Sequence, residues 1–232
     1  TIIRMLGALD ELTVDDICGT SLTTESSSDL FLHVHYIARA CKERKKVVFV
    51  SMKTAEVNLR IMCSKLAIRY DTTLVKVIEL GSLFEDDLAS SPDEVLQKID
   101  KVVEEGSVVL VEDASSFSDL RISLSSFIRF VQNLQDKCSR QAFFLLPLPL
   151  GSYCRVFISF SSPCPMYNVT KRLCDYDVKV ENVGAGFGKD VTGTMTITRQ
   201  SGDLIHSQSR LLYLTGERSL KAFPPGNASI FF

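Results

Sequence analysis

An α/β fold is predicted for this chain: a mostly parallel sheet flanked by helices and continued by antiparallel strands toward the carboxyl end. Three observations predict it. Short unbroken apolar runs, Val47 to Ser51 and Val108 to Asp113 among them, read as strands buried on both faces. Between such runs lie segments of ten or more residues with apolar side chains at helical spacing, an alternation that calls for right-handed crossovers and a sheet covered on both sides. Beyond Pro147 and Pro149 the turn signals come closer together and polar residues begin to alternate with apolar ones, the pattern of hairpins.

Taken in order, Leu12 to Cys18 is read as a short first strand, weakened by Asp15 and Asp16, that runs into a polar loop from Gly19 to Asp29. A helix follows, with Leu30, Phe31, Val34, Ile37, Ala38 and Cys41 as its stripe, Ser27 or Ser28 as its cap, and Lys42 to Lys46 at the negative end of its dipole. Val47 to Ser51 is a second strand. Ala55, Leu59, Met62, Cys63 and Leu66 mark a second helix, and Leu74 to Leu80 a third strand. After an acidic loop from Glu85 to Asp87, Pro92 suits a first helical turn, where its missing N–H costs nothing. Val95, Leu96, Ile99, Val102 and Val103 then face inward, and Gly106 closes the helix.

The Val108 strand comes next, then one helix carrying Leu120, Leu124, Phe127, Ile128, Val131 and Leu134, then Ala142 to Leu148 as a further buried strand. Val178 to Val183, Met195 to Thr198, Leu211 to Leu214 and Leu220 to Phe223 are expected as antiparallel strands. With no internal repeat or low-complexity linker, a single domain is expected, residues 1–150 forming the parallel core and 151–232 an antiparallel extension.

Composition narrows the class of function. Of the 232 residues 45% are hydrophobic, enough for a sizeable core, and a net charge of −2 gives no bulk attraction for nucleic acid or anionic lipid. No apolar run approaches the roughly 18 residues that span a bilayer, so no membrane partner is expected. A secretory leader is not expected at an amino end that soon turns acidic at Asp10 and Glu11. Seven cysteines without CxxC spacing read as reduced, mostly buried thiols, which suits a cytoplasmic or nuclear protein.

The carboxylates that end the Val108 strand, Glu112 and Asp113, stand where nucleotide-hydrolysing α/β proteins hold a metal-binding acid at the carboxyl end of a central strand. The rest of that machinery is missing. Between Gly19 and Asp29 there is neither a second glycine nor a lysine, and Glu25 and Asp29 would repel a triphosphate. Gly184-Ala-Gly-Phe-Gly-Lys-Asp190 has the glycines and a lysine, but its flanks are strand-like and Asp190 occupies the place of a Ser or Thr, so a glycine-rich hairpin is expected. Glu112 and Asp113 are then read as a degenerate metal-carboxylate position, structural rather than catalytic. His33 and His35 point to different sides of one helix, His206 has no companion, and Cys154, Cys164 and Cys174 lack zinc-ligand spacing, so no catalytic, cofactor-binding or metal-binding residue is assigned. A weak basic cluster remains: Arg155, in the loop after the last parallel strand, with Lys171, Arg172 and Lys189. Solvated surface charge accounts for it, with nucleic-acid contact as the other reading.

Five segments together resemble the family of sixth subunits of the Elongator complex, RecA-like proteins without nucleotide motifs. They are Leu30-Phe-Leu-His-Val-His-Tyr36, Val47-Val-Phe-Val-Ser51, Val108-Val-Leu-Val-Glu-Asp113, Gly186-Phe-Gly-Lys-Asp-Val-Thr-Gly193 and Tyr213 to Phe232 with Pro224-Pro-Gly-Asn227. The fifth-subunit family is a near rival, and the absence here of its usual acidic tail turns the comparison toward the sixth. The resemblance implies a RecA-like fold and a non-catalytic subunit that joins Elongator's fourth and fifth subunits in a hexameric ring, two copies of each. Such rings bind tRNA, release it under ATP control and support wobble-uridine modification. ATP would be handled by the assembled ring and by no cofactor site of this chain alone. The serine-rich loop from Thr20 to Ser28 departs from that family. The reading from a different class is a RecA-like ATPase of the recombinase-paralogue type, working with Glu112 or Asp113.

Overall fold

A computed structural model describes residues 18–23, 28–84, 91–139, 155–182, 191–216 and 219–225. One nine-stranded sheet organises them, in the order β3-β2-β4-β5-β1-β6-β7-β8-β9. The strands are β1 (Cys18–Thr23), β2 (Val47–Ser51), β3 (Val75–Glu79), β4 (Val108–Val111), β5 (Val156–Phe160), β6 (Tyr176–Asn182), β7 (Gly193–Ser201), β8 (Leu204–Gly216) and β9 (Ser219–Phe223). The helices are α1 (Leu30–Lys42), α2 (Glu56–Lys65), α3 (Pro92–Val102), the single turn α4 (Ser116–Asp119), α5 (Leu124–Ser139) and α6 (Pro165–Leu173). The expected α/β architecture is present: β1 to β6 pair in parallel, and β6 to β9 pair antiparallel.

The period of two in each strand divides the core into two layers. Val47, Phe49, Val108, Leu110 and Phe157 face α1 and α2, while Val48, Val50, Val109, Val111, Val156 and Ile158 face α3, α5 and α6. Both sets are buried because crossover helices cover both faces, and each such aliphatic or aromatic side chain contributes about 1.5–3 kcal/mol. The antiparallel strands extend the first layer: Met195, Ile197, Leu211 and Tyr213 continue it, and Phe31 of α1 rests on Tyr213 with ring centroids 5.3 Å apart.

Several elements depart from what the sequence predicts. Of the strand expected over Leu12 to Cys18 only the last residue is described. Its described part begins at Cys18 and runs to Thr23, through residues expected as loop, while 12–17 lie outside the described residues. This strand is polar yet buried because its hydroxyls are bonded: Thr20 Oγ1 donates to the Ile158 carbonyl at 2.9 Å, and Ser21 Oγ donates to Asp29 Oδ2 at 2.6 Å. The helix expected from Leu120 is two elements, since Arg121 adopts φ 58° between α4 and α5 and leaves Leu124 exposed. Strand β5 and helix α6 have no counterpart among the expected elements, so parallel pairing continues past residue 150 and changes to antiparallel only between β6 and β7. The acidic loop at 85–87, the strand expected over 142–148 and the glycine-rich segment 184–190 lie outside the described residues, although the strands flanking the last pair Asn182 with Gly193 in a hairpin register.

Candidate functional site

Parallel pairing brings the carboxyl ends of β2, β4 and β5 to one edge, which is where α/β proteins of this construction place their sites. Val50 lies opposite Val111, so the residues that follow each strand, Ser51 to Thr54 and Glu112 to Asp113, leave the sheet side by side. The turn after β2 folds over Glu112. Oε2 of Glu112 accepts from the Ser51 hydroxyl at 3.0 Å, from Lys53 N–H at 3.2 Å and from Thr54 N–H at 2.9 Å, while Oε1 accepts from Thr54 Oγ1 at 2.5 Å. Three of these contacts fall on Oε2 and one on Oε1, and the single Ser51 hydroxyl hydrogen is shared with the Thr54 carbonyl.

Asp113 is held in the same manner. Its Oδ2 pairs with Lys53 Nζ at 2.5 Å, and its Oδ1 accepts Ser161 N–H at 3.0 Å. Its own N–H donates to Ser159 Oγ at 3.0 Å, a position the backbone reaches by adopting the left-handed φ of 47°. Burial pushes both carboxyls up, but the hydrogen bonds from Thr54 and Lys53 to Glu112, and from Lys53 and Ser161 to Asp113, outweigh it and hold both below their ordinary values. Both groups are ionised and already coordinated by the chain's own donors.

Ser159 and His33 lie nearby, with Ser159 Oγ 3.1 Å from His33 Nε2. That spacing suits a nucleophile and its base, but His33 is fully buried and Ser159 is 1% exposed, so no substrate reaches them. Burial also lowers the His33 pKa, keeping the imidazole neutral beside Glu112 and Asp29. The pair serves as a polar strut between α1, β5 and β4. Among the described residues no group of three or more His, Cys, Asp or Glu side chains is placed to hold a metal ion.

The basic residues do not converge as a cluster of free charges. Arg155 immediately precedes β5 instead of following the last parallel strand, and its guanidinium donates to the Cys138 carbonyl at the end of α5. Lys171 pairs at 3.1 Å with Asp177, a buried carboxylate whose two oxygens share the single Tyr167 hydroxyl donor at 3.0 and 3.1 Å. Burial raises the Asp177 pKa, with Lys171 and Tyr167 working against it. Arg172 pairs with Asp203 at 3.1 Å on the surface, and Lys189 lies outside the described residues. Of the other polar candidates, His206 is exposed, Cys164 accepts Tyr167 N–H at the start of α6, and Cys174 touches Cys18 at 2.7 Å in the core.

Sequence reasoning missed Ser51, Lys53 and Thr54 as partners of the carboxylates. The signal was present: a polar Ser-Met-Lys-Thr turn follows an apolar strand that must end at the same sheet edge as Glu112. The fold and this edge define an α/β protein with a mostly parallel sheet whose edge carboxylates are engaged by its own turns. The chain matches no family model and no curated protein. Among the described residues no helix is long and apolar enough to cross a membrane.

Proposed function

We propose that this chain is a non-catalytic RecA-like subunit of a hetero-hexameric Elongator ring, assembled with the fourth and fifth subunits and supporting wobble-uridine modification by binding tRNA. The observation that carries the non-catalytic part is the occupancy of Glu112 and Asp113. Donors of the Ser51–Thr54 turn bond the first, and Lys53 and Ser161 hold the second. Hydrolysis of a nucleotide needs a metal-binding acid free to take up its ion and a cradle for the phosphates. The segment from Gly19 to Asp29 supplies no lysine for such a cradle, and half of it is strand β1. The five segments of resemblance support the assignment to the ring.

In this reading the parallel sheet is a scaffold, and the protein acts through surfaces presented to neighbours. Arg172, whose pair with Asp203 is exposed, would exchange it for a phosphate contact once the ring is formed, with Lys171, held by the buried Asp177, beside it on one turn of α6. ATP belongs to the assembled ring, and the work of the chain is in the cytoplasm or nucleus. The test is the set of partners. Affinity-tagged protein recovered from its own cells, examined by native mass spectrometry, is expected in a six-membered ring with two copies of each of three subunits. Recovery as a monomer or a homo-oligomer without Elongator subunits would overturn the assignment.

A further inference from the structure

Two thiols, Cys18 and Cys174, meet in the core layer that faces α3, α5 and α6, their Sγ atoms in contact at 2.7 Å. Cys18 opens the described part of β1, and Cys174 is the residue that ends α6 before β6 begins. Backbone pairing brings them together. The parallel register sets Gly19 opposite Tyr176, and one step earlier the Asp175 N–H donates to the Cys18 carbonyl at 2.9 Å while the Cys18 N–H donates to Asp175 Oδ2 at 3.0 Å. Both cysteines are buried, at 1% and 2% exposed. Cys41 and Cys63 belong to the opposite layer, and Cys164 accepts Tyr167 N–H at the start of α6. Cys138 of α5 shares the layer of Cys18 and is its nearest competitor for a partner.

The places of the two cysteines in the chain add an independent observation. Between Cys18 and Cys174 the chain runs through β1 to β5 and α1 to α6, so a bond between the two sulfurs would close one loop around all of the parallel half except β6. In the chain-entropy account of disulfides, closing a loop this long removes more freedom from the unfolded chain than closing a short one. The bond would also fasten the seam at which parallel pairing of β1 with β6 gives way to antiparallel pairing of β6 with β7.

We propose that Cys18 and Cys174 form a redox-dependent disulfide that staples the start of β1 to the end of α6. The oxidant is a small-molecule disulfide of the glutathione type. One cysteine thiolate attacks a sulfur of the oxidant, forming a mixed disulfide and releasing one glutathione thiolate. The other cysteine thiolate then attacks the protein sulfur of that mixed disulfide and releases the second. Two protein thiols are oxidised, one molecule of oxidant is reduced, and the two protons lost by the cysteines end on the released glutathiones. Because burial closes both thiols to solvent, the exchange takes place while the chain folds, before β1 and α6 seal the contact, and the same burial shields the finished bond from reductant. The staple is independent of the ring assignment, because it depends only on core residues of this chain.

The test refolds the full chain, unfolded in urea with its thiols reduced, by dilution into a mixture of reduced and oxidised glutathione. Free thiols are then alkylated and the peptides mapped by mass spectrometry without reduction. The expected product is a peptide pair joining Cys18 to Cys174, two hydrogens lighter than the reduced pair, with the remaining cysteines unlinked. The oxidised chain should melt about 5–15 °C above chain refolded in reduced glutathione alone. Cys18→Ala and Cys174→Ala should each remove that difference. Should either variant fail to fold, the wild-type peptide map decides by itself. Absence of the Cys18–Cys174 peptide would overturn the proposal, as would a Cys18–Cys138 linkage in its place or a scrambled set in which the expected pair does not dominate. So would an oxidised chain that melts no higher than the reduced one.

Discussion

Glu112 is ionised and buried, a state that is tolerable only because four donors of one turn surround it. Glu112→Ala is therefore expected to destabilise the fold by about 2 kcal/mol, since it strands partly buried N–H groups and leaves the turn after β2 without its anchor. Urea denaturation measures this, and a midpoint equal to wild type would contradict the anchoring role. Lys53→Ala should cost less, about 1 kcal/mol at most, because the lysine is more than half exposed and water screens its pair with Asp113.

The buried histidines give the molecule an acid limit. Burial holds His35 at about 4 in the fold against an ordinary 6.5, with repulsion from Arg39 adding to it. Between those values the unfolded chain binds a proton that the folded chain refuses. The contribution to stability is therefore full above 6.5 and falls as the pH drops toward 4. The amount at stake is about 3 kcal/mol, because a tenfold change in proton affinity is worth about 1.4 kcal/mol. His35→Leu should flatten the loss of melting temperature across that window, although His33, lowered in the same direction, keeps part of it. Parallel profiles for variant and wild type would show that His35 does not titrate on unfolding.

At the scale of elements, β1 is the strand on which the sheet depends, since it pairs with β5 on one side and β6 on the other. Gly19 lets it do so. A Cβ at this position would fall inside the ring of Tyr176 on β6, whose hydroxyl bonds to that of Tyr36 on α1. Gly19→Ala should cost about 1–3 kcal/mol or more by overpacking, and a second change, Tyr176→Leu, should restore part of it. Denaturation midpoints for the single and double variants decide this, and an unaffected single variant would contradict the packing.

This strand also shows where the sequence stopped being legible. Gly-Thr-Ser-Leu-Thr has the composition of a loop, and only the carbonyls of β5, remote in sequence, and the carboxylate of Asp29 make its hydroxyls tolerable inside. Strand β5 is five residues long and includes Ser159, whose hydroxyl accepts the Asp113 N–H, so its polarity too is explained only by a distant partner. By contrast, Val47 to Ser51, Val108 to Val111 and the helix opened by Pro92 declare themselves locally, through unbroken β-branched runs and through proline at a first turn.

At the scale of the whole molecule, alternation of strand and helix was enough to predict a mostly parallel sheet with an antiparallel continuation. The positions of Glu112 and Asp113 at its carboxyl edge followed from that alternation. What they bind did not, because Ser51 to Thr54 and Ser159 to Ser161 meet them only through lateral strand order, which one-dimensional periodicity does not carry. The central claim, that this edge is a closed polar network and not a nucleotide site, is tested most directly by titrating the purified chain with a fluorescent ATP analogue and Mg²⁺. No saturable binding is expected, for the wild type and for Asp113→Ala alike. Micromolar binding by the wild type that Asp113→Ala abolishes would contradict it and favour the reading as a RecA-like ATPase.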